Sequence, residues 1–428
     1  MGYNLFNIQE VKGTLLKKLT DFRESIGSAI CEGKDISFAD NDITYAFMLQ
    51  NKRLKEKELE LDYKIYTRDE SGNKFVVGSN WKDAHYESKV CFNPCGIKRK
   101  VKRNGKWCYS DNLKSVLYET VTDVVSGAHP DNDPFCCPNC GTASTVAGLQ
   151  NGCSYCGTKF QMDDLFPKVS SYYFLDDAGM TKKEFWGGYF IAYVITLVIL
   201  VIMCWTLKGE VYLPHNIINH PSNLIGAAIG IPLGGIPLAY ILYGYFLIIR
   251  LIVRGILSAG KMGTAGSRRK FEARMRKVSP EFSYEYFTSK AISLIKTAVF
   301  SENAQELLFY TGGPMDPKMK NIIDLNYGGA LGCKKFKDEG NLVTVVTKAY
   351  FDVLYADGKR IYKKSQVFAA TFQRRTDIPV NLNFSMTRIC CPTCGSSYDA
   401  TKNKICPYCG NKYEITMDDW ALVELKYM

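Results

Sequence analysis

Two long stretches without a charged residue constrain this chain more than any other feature. They cover residues 185–207 and 224–249. At a rise of about 1.5 Å per residue, each stretch is long enough to cross a bilayer core of about 30 Å as a helix. The alternative is a pair of buried core helices, which needs a domain large enough to surround both of them. The pattern predicts two transmembrane helices, 185–207 and 224–249.

Outside these stretches the chain has the composition of an ordinary globular protein. Hydrophobic residues make up 46% of the 428 residues and charged residues 23%, which excludes wholesale disorder and a polytopic helix bundle. The length leaves room for about two or three domains. We therefore expect folded parts on either side of the apolar pair.

The charges that flank the apolar stretches predict the orientation. Lys168, Lys182 and Lys183 precede the first stretch, and six basic residues follow the second between positions 250 and 270, whereas the connecting residues 208–223 hold a single lysine. Basic residues concentrate on the cytoplasmic side of a membrane. We predict a multi-pass protein of the cell membrane with both termini in the cytoplasm.

The second apolar stretch carries small residues in a regular pattern. Gly226, Gly230 and Gly234 recur every four residues, and Pro232 and Pro237 lie among them. Such a stripe lets another helix approach closely. That helix is either the first stretch of the same chain or the same stretch of a second copy, so a homodimer is possible. Neither stretch has an ionisable residue, which argues against an ion or proton path.

Eight of the sixteen cysteines form two matching sets of Cys-x-x-Cys-Gly pairs. The first set is Cys137, Cys140, Cys153 and Cys156, and the second is Cys391, Cys394, Cys406 and Cys409. Two such pairs aim four thiolates at one tetrahedral Zn²⁺. Disulfides or buried thiols are the alternatives, and the regular spacing disfavours both. We predict two structural zinc ions, and four thiolates leave no coordination position for a catalytic water.

The similarity between the two sets extends beyond the cysteines. Cys136 and Cys390 each lie one residue before the first predicted ligand of their set. We interpret both as spare cysteines that the zinc sites do not require. Lys159-Phe160 corresponds to Lys412-Tyr413, and an Asp-Asp pair follows in each set, at 163–164 and 418–419. The repeat predicts that one design, a domain closed by a zinc ribbon, occurs twice. Cys91, Cys95 and Cys108 with His85 are a looser group, for which ordinary thiols are favoured over a third metal site.

Periodicity predicts the elements of the N-terminal part. Apolar residues at helical spacing from 11 to 30 predict an amphipathic helix, and alternation over 59–65 predicts a strand before a turn at Gly72-Asn73. A second hairpin is expected around Asn104-Gly105, and a helix from Leu113 to Val125. The basic arm of this hairpin, KRKVKR, could bind nucleic acid or anionic lipid, but a solvated edge strand protected by lysine is the commoner explanation.

Most of the net charge of +11 lies directly after the second apolar stretch. Residues 250–277 carry nine basic residues and one acid. Because the excess is confined to this segment, it indicates a membrane-flanking feature and not a nucleic-acid face. Phe271 and Met275 could seat a short helix on the anionic inner leaflet. The alternative is a charged linker helix.

The C-terminal part begins with helices and continues with strands. A helix over 287–298 and a shorter one over 304–310 precede strands near 329–337, 342–355, 360–374 and 382–389, with a tight turn at 356–359. Helices followed by a long curved antiparallel sheet predict an α+β cone.

Four features of this part carry a resemblance to a known family. They are Pro280-Glu281-Phe282-Ser283, the amphipathic helix after it, the hairpin with its Asp-Gly turn, and a terminal ribbon that ends on Asp419-Trp420-Ala421-Leu422. Residues 280–428 thereby resemble bacterial members of the mitochondrial import-motor tether family, the translocase-of-inner-membrane forty-four-like domains. The resemblance implies a cone like that of nuclear transport factor two, placed at a membrane surface and binding proteins or lipid. Because this chain adds two spans and two ribbons, import-motor tethering is not implied, and the family has no catalytic residues to transfer.

These inferences combine into one architecture. We expect an α+β protein with two cytoplasmic parts, each closed by a four-cysteine zinc ribbon and joined by a transmembrane hairpin. Its predicted segments are an N-terminal α+β domain (1–135), a zinc ribbon (136–167), two transmembrane helices (185–207 and 224–249), a basic juxtamembrane segment (250–279), a cone domain (280–389) and a second ribbon (390–428).

The leading functional hypothesis is a membrane-anchored interaction or scaffold protein with protein partners and no enzyme activity. A second hypothesis is an enzyme or small-ligand receptor that uses the cavity of the cone. A third is nucleic-acid binding through the ribbons, which the near-neutral charge around both cysteine sets makes unlikely.

Overall fold

The computed structural model describes residues 9–68, 76–82, 84–177, 182–206, 221–257, 259–358, 360–378 and 387–428. The chain divides into two compact units. The first, which we call the two-sheet unit, combines Met1–Asp177 with Lys261–Met428. The second, the hairpin unit, is Ala178–Gly260. Sequence-distant parts on either side of the apolar stretches therefore belong to one folded body.

The described elements mix helices and strands, which confirms the α+β class. The α-helices are α1 (Gly13–Glu32), α2 (Asn41–Glu56), α3 (Val146–Asn151), α4 (Met162–Leu165), α5 (Lys182–Thr206), α6 (Pro221–Leu257), α7 (Ala259–Val278) and α8 (Tyr284–Phe300). Short 3-10 turns cover Ala304–Glu306, Pro317–Asn321 and Ile415–Met417. The strands are β1 (Gln9–Glu10), β2 (Leu59–Thr67), β3 (Val76–Lys82), β4 (Tyr86–Arg103), β5 (Lys106–Val124), β6 (Pro134–Cys136), β7 (Ala143–Thr145), β8 (Lys168–Asp176), β9 (Ile322–Asp338), β10 (Leu342–Asp357), β11 (Arg360–Arg375), β12 (Arg388–Cys390), β13 (Ser397–Asp399) and β14 (Ala421–Tyr427).

The first sheet is antiparallel and built around one long hairpin. Its order is β1-β3-β4-β5-β8, and β2 also pairs with β4. The predicted hairpin at Asn104-Gly105 is confirmed, because both residues have positive φ, 49° and 74°, as a two-residue type I′ turn requires. The predicted turn at Gly72-Asn73 lies outside the described residues.

The second sheet repeats the connectivity of the first. Its order is β14-β11-β10-β9, all antiparallel. In both sheets a long hairpin (β4-β5 or β10-β11) is followed by a cysteine ribbon, and the chain then returns as a strand beside the second arm (β8 or β14). The repeat seen in the cysteine motifs therefore extends to the strand order. Of the strand predicted over 382–389, residues 382–386 lie outside the described part.

The helix predicted from Leu113 to Val125 is wrong. These residues belong to β5, which pairs with β4 along its whole length and with β8 over its second half. Leu117 and Val121 pack with α1 and α2, while Thr120 on the opposite face reaches Ser289 of α8. A strand buried on both faces loses the polar alternation that identifies strands in a sequence.

The cores of the N-terminal and C-terminal parts share residues. Leu49 of α2 packs in the cluster formed by α8 and the second sheet. Ile323, Leu354 and Ala356 of the second sheet pack in the cluster of α1, α2 and the first sheet. The predicted domain boundaries stay predictions, but the two parts do not have separate interiors.

Buried charges also join the two parts. Arg99 of β4 has no exposed surface and contacts Asp111 Oδ2 at 2.5 Å and Asp324 Oδ2 of β9 at 2.6 Å. Arg53 of α2 donates to the carbonyl oxygens of Val299 at 2.6 Å and Ser301 at 2.9 Å. Its guanidinium thereby neutralises the partial negative charge at the C-terminal end of α8. Except for Asp111, each of these partners is more than two hundred residues away along the chain.

Helix α7 packs into the two-sheet unit through its apolar side chains. Phe271 and Met275 are buried in the C-terminal core, where the Phe271 ring lies 5.3 Å from that of Phe282. They therefore do not face lipid, contrary to the sequence-based alternative that seats them on a membrane. The exposed side of α7 carries Arg269, Lys270, Arg274, Arg276 and Lys277.

The hairpin unit contains two helices that are long and apolar enough to cross a membrane. These segments are Phe185–Met203 of α5 and Ala228–Ile252 of α6. Their side chains point outward, and Ile191 and Leu233 are each 61% exposed. Exposed aliphatic side chains in such numbers are typical of helices that face lipid. Residues 208–220 of the predicted connecting loop, and residue 207 at the end of the first predicted helix, lie outside the described residues.

The two helices of this unit pack through glycines outside the predicted stripe. A Cβ on Gly235 would lie 2.9 Å from Leu197 Cδ2, and one on Gly188 would overlap Tyr243. The Tyr193 hydroxyl donates to the Pro232 carbonyl oxygen at 3.1 Å. Among the described residues, no atom lies within 4 Å of a Cβ placed on Gly230 or Gly234. Contact within the hairpin thus uses Gly188 and Gly235.

Candidate metal centres

Each Cys-x-x-Cys-Gly motif folds into the same tight turn. In the first, the backbone N–H of Gly141 donates to the Cys137 carbonyl oxygen at 2.8 Å, and the Cys137 N–H donates to the Thr142 carbonyl oxygen at 2.8 Å. Equivalent bonds begin at Cys153, Cys391 and Cys406. The four glycines have φ between 70° and 75°, which side-chain-bearing residues rarely adopt. The glycine therefore allows the turn that directs both thiols to one side.

The turns bring the eight predicted ligands into two clusters. One cluster is Cys137, Cys140, Cys153 and Cys156, the other is Cys391, Cys394, Cys406 and Cys409, and in each the sulfur atoms all lie within 4.8 Å of one another. Two of the Sγ–Sγ distances are 3.6 Å and 3.8 Å in the first cluster, and two are 3.6 Å and 3.7 Å in the second. A tetrahedron with metal–sulfur bonds of about 2.3 Å has edges of about 3.8 Å. The residues present therefore fit a metal site with four thiolate ligands.

The cysteines of both clusters are free thiols, not disulfides. The first cysteine of each pair is buried and the second is more exposed. Apart from its cysteines, the first cluster packs against only a few buried apolar residues, among them Val146, Leu149 and Phe166. So small a core contributes little stability, so a bound ion would stabilise the ribbon directly.

The two ribbons, residues 136–167 and 390–428, contact each other. The Ser397 hydroxyl donates to the Gly141 carbonyl oxygen at 2.7 Å. Arg388 lies against Gly141, where a Cβ would come within 2.6 Å of its Nε. The two spare cysteines, Cys136 and Cys390, meet at the same contact with their sulfur atoms 3.6 Å apart. The repeat therefore pairs with itself inside one chain.

The looser cysteine group does not converge on one point. Cys91 and Cys95 lie four residues apart on the continuous strand β4, a separation of about 13 Å. Burial raises the pKa of Cys95 to about 12 and raises that of Cys91 as well, so both remain neutral thiols. The His85 Nδ1 instead contacts Asp133 Oδ2 at 2.8 Å.

The two Asp-Asp pairs have different roles. Asp164 accepts from the Gln161 N–H at 2.7 Å and caps the short helix α4. Asp419 is fully buried and contacts Lys290 Nζ of α8 at 2.9 Å. Burial opposes the charge of Lys290, but Asp419, with Asp42 and Asp40, outweighs it and raises the pKa of Lys290. The second pair therefore fastens the terminal ribbon to α8.

One pair of exposed residues was not singled out from the sequence. Tyr155 and Tyr408 occupy the same position in the second turn of each ribbon, and they are 80% and 69% exposed. The sequence carried the signal, since Ser-Tyr and Pro-Tyr lie between the cysteines of matching motifs, but exposure depends on the packed ribbon.

Comparisons with protein-family models, curated proteins and solved structures found no match to this chain.

Proposed function

We propose that this protein is a membrane-anchored scaffold whose paired zinc ribbons bind cytoplasmic proteins. The observation that carries the proposal is the exposure of Tyr155 and Tyr408 at equivalent positions of two ribbons that contact each other. Tyrosine is enriched at protein interfaces because it buries a large apolar ring and keeps a polar hydroxyl. A duplicated tyrosine on a duplicated ribbon suits a partner that is itself repeated or extended.

Zinc is the proposed occupant of both clusters. Thiolate-only tetrahedral sites favour zinc over harder cations such as magnesium or calcium. Four thiolates fill the coordination shell, so the ions would hold the ribbons rigid and take no part in chemistry. Cysteines that form no disulfides and could bind a metal agree with a reducing cytoplasm.

Two arguments support the proposed membrane insertion with both termini in the cytoplasm: one concerns which side the termini occupy, and the other concerns their lying on the same side. The flanking basic residues favour that side. The two-sheet unit combines residues from before α5 and after α6, and residues that share one core must lie on the same side of a membrane. A two-helix hairpin satisfies both arguments.

Anionic lipid is a proposed partner of α7. Its exposed residues include Arg269, Lys270, Arg274 and Arg276, while its apolar residues face the core. A basic surface near a membrane helix attracts acidic headgroups at about 1 kcal/mol per residue.

A homodimer through the open face of α6 at Gly230 and Gly234 remains a proposal that a mass measurement in detergent would test.

The likeness to import-motor tether domains also remains a proposal. The described second sheet has the expected antiparallel order after helix α8. The space between this helix and the sheet is filled by aromatic side chains, and Phe287 lies 4.7 Å from Trp420 and 5.6 Å from Phe372, between ring centres. Two enclosed cavities that border α8 have volumes of about 30 Å³ each. Such volumes suit water molecules, so these two cavities do not supply a small-ligand site, and a receptor would have to use an open cleft such as the one of about 510 Å³ beside Tyr355 and Tyr427.

The basic hairpin offers little to nucleic acid. Lys100 and Lys102 place their ammonium groups 4.9 Å and 4.4 Å from the centre of the Trp107 ring. The cations thus already occupy the ring on which a base would stack. The basic arm is not a sheet edge, contrary to the sequence-based explanation, because residues 98–103 of β4 pair with β2 on one side and with β5 on the other.

Site-specific photocrosslinking in intact membranes tests the scaffold proposal. A photoreactive phenylalanine analogue replaces Tyr155 in one variant and Tyr408 in another, and the matched control carries it at Tyr362, an exposed tyrosine of β11. We expect one protein to be crosslinked from both ribbon positions and not from position 362. Equal labelling from all three positions, or none from either ribbon, would refute the proposal.

A further inference from the structure

Cys136 and Cys390 form a thiol pair at the contact between the two ribbons. Cys136 ends β6 and Cys390 ends β12, and their sulfur atoms are 3.6 Å apart. Each residue directly precedes the first cysteine of a cluster that is complete without it. The pair is therefore available for chemistry of its own.

The repeat explains why these two sulfur atoms meet. In an interface between two equivalent surfaces, a residue on the axis that relates them contacts its own counterpart. Cys136 and Cys390 occupy the same place in the two motifs, one residue before the first cluster cysteine. Ser397 and Arg388, which contact Gly141, hold the same interface together.

The two sulfur atoms are near enough for a disulfide to form after a small approach. A disulfide has a sulfur–sulfur bond of about 2.0 Å, so the two atoms need to approach by about 1.5 Å. Both cysteines are half-buried, which leaves them accessible to a small oxidant.

We propose that Cys136 and Cys390 form a reversible disulfide that locks the two ribbons together under oxidising conditions. Hydrogen peroxide is the oxidant. The sulfur of one cysteine attacks a peroxide oxygen, the O–O bond breaks, and a sulfenic acid and one water form. The second sulfur then displaces the sulfenic oxygen, which leaves as a second water. Two thiols lose two electrons and two protons, and peroxide gains both.

Reduction breaks the disulfide and separates the two cysteines again. A dithiol reductant attacks the disulfide, forms a mixed disulfide and then closes on itself, which returns both thiols. Disulfides in cytoplasmic proteins are mostly transient or redox-sensing. The pair would therefore couple the contact between the ribbons to the oxidation state of the cell.

Peptide mapping of the full-length protein in detergent tests the inference. The protein is treated with hydrogen peroxide, its remaining thiols are alkylated, and tryptic peptides are analysed by mass spectrometry. The pair predicts a reductant-sensitive link between the peptides 115–159 and 389–402. Because both peptides contain cluster cysteines, the variants Cys136→Ser and Cys390→Ser identify the linked atoms. Cys333→Ser, which alters a half-buried cysteine of β9, is the control.

The expected result is a linked peptide pair in the wild type and in Cys333→Ser, and its loss in Cys136→Ser and in Cys390→Ser. Metal content, measured in the same samples, should stay at two ions per chain, which also shows that the serine variants are folded. The inference is overturned if no link forms, if the link persists in either serine variant, or if it appears only as metal is lost. A third ion bound by the pair would also overturn it.

Discussion

At the scale of single residues, glycine and cysteine determine the candidate metal sites together. Gly141, Gly157, Gly395 and Gly410 have left-handed φ values, and each allows the turn that carries two thiols. The resulting sulfur–sulfur distances match the edges of a thiolate tetrahedron. Local sequence is sufficient for each turn, whose hydrogen bonds join residues at most five positions apart, whereas these sulfur–sulfur distances join cysteines of two turns, 19 and 12 positions apart.

Replacing a single ligand should remove one metal ion. Cys391→Ser leaves the second cluster with three thiolates, so we expect metal content to fall from two ions per chain to one and the 390–428 ribbon to lose protection from proteolysis. Elemental analysis of the purified protein measures the ion count. Cys333→Ser should keep both ions. A count of two in Cys391→Ser would show that the ligand assignment is incorrect.

Lys296 should make stability depend on pH. Its side chain is buried against the Tyr172 ring, 4.3 Å away, and burial lowers its pKa to about 8 although Asp324 opposes the shift. Between the folded pKa and the unfolded value of 10.5, the unfolded chain binds more protons, so stability from this group rises with pH.

A matched variant separates this effect from other titrations. Relative to Lys296→Met, the wild type should gain about 2 kcal/mol between about pH 7 and about pH 9.5. The difference between their thermal midpoints in detergent, followed across this range, measures the gain. A constant difference, or one that falls as pH rises, would contradict a buried lysine with a lowered pKa.

At the scale of elements, the number of buried faces determines which helices and strands the sequence pattern predicts correctly. Helix α1 follows its apolar periodicity because only one face is covered, with Leu19, Phe22 and Ile26 buried. Strand β2 alternates for the same reason. Strand β5 was mistaken for a helix because α1 and α2 cover one face and α8 approaches the other. A strand covered on both sides has no polar face to reveal its period.

The packing of α5 against α6 gives a prediction with a close control. Gly235→Leu would force side-chain atoms into Leu197 and Tyr193. At the neighbouring Gly234, no atom of the described residues lies within 4 Å of an added Cβ. Overpacking costs about 1–3 kcal/mol. We expect Gly235→Leu to speed amide hydrogen exchange in α5 near Leu197 about tenfold or more, and Gly234→Leu to leave it unchanged. Similar rates in both variants would place the helix contact elsewhere.

At the scale of the whole molecule, two copies of one design share a single interior. The strand order, the ribbons, the exposed tyrosines and the spare cysteines all occur twice. The copies nevertheless exchange core residues, such as Leu49 and Ile323. They also share the buried Arg99–Asp324 pair, so a buried charge of the N-terminal half is neutralised by a carboxylate of the C-terminal half. We expect the two-sheet unit to unfold as one body.

The Arg99–Asp324 pair tests this coupling between the halves. Arg99→Ala leaves the buried Asp324 carboxylate without its ion pair, so it should destabilise the protein by about 3–5 kcal/mol. Asp324→Ala should cost less, because Arg99 keeps its contact with Asp111 at 2.5 Å. The double variant should lose clearly less stability than the sum of the two single losses, because each single variant already removes the interaction between the two residues. Urea denaturation in detergent measures all three. Lys337→Ala, which breaks the exposed pair with Glu339, should cost about 1 kcal/mol or less. Strict additivity of the Arg99 and Asp324 effects would argue against direct coupling.

The sequence by itself determined the features that depend on local spacing. Uncharged length determined the two apolar helices, and cysteine and glycine spacing determined the two clusters. One-sided periodicity determined α1 and β2, and turn residues marked the positions of the two hairpin turns at 104–105 and 356–359. Tertiary structure decided what depends on contacts between distant residues: the strand identity of β5, the burial of Phe271 and Met275, the shared core, and the meeting of Cys136 with Cys390. The physical reason is that periodicity and motif geometry arise within a few residues, whereas burial and charge pairing depend on which distant surfaces the folded chain brings together.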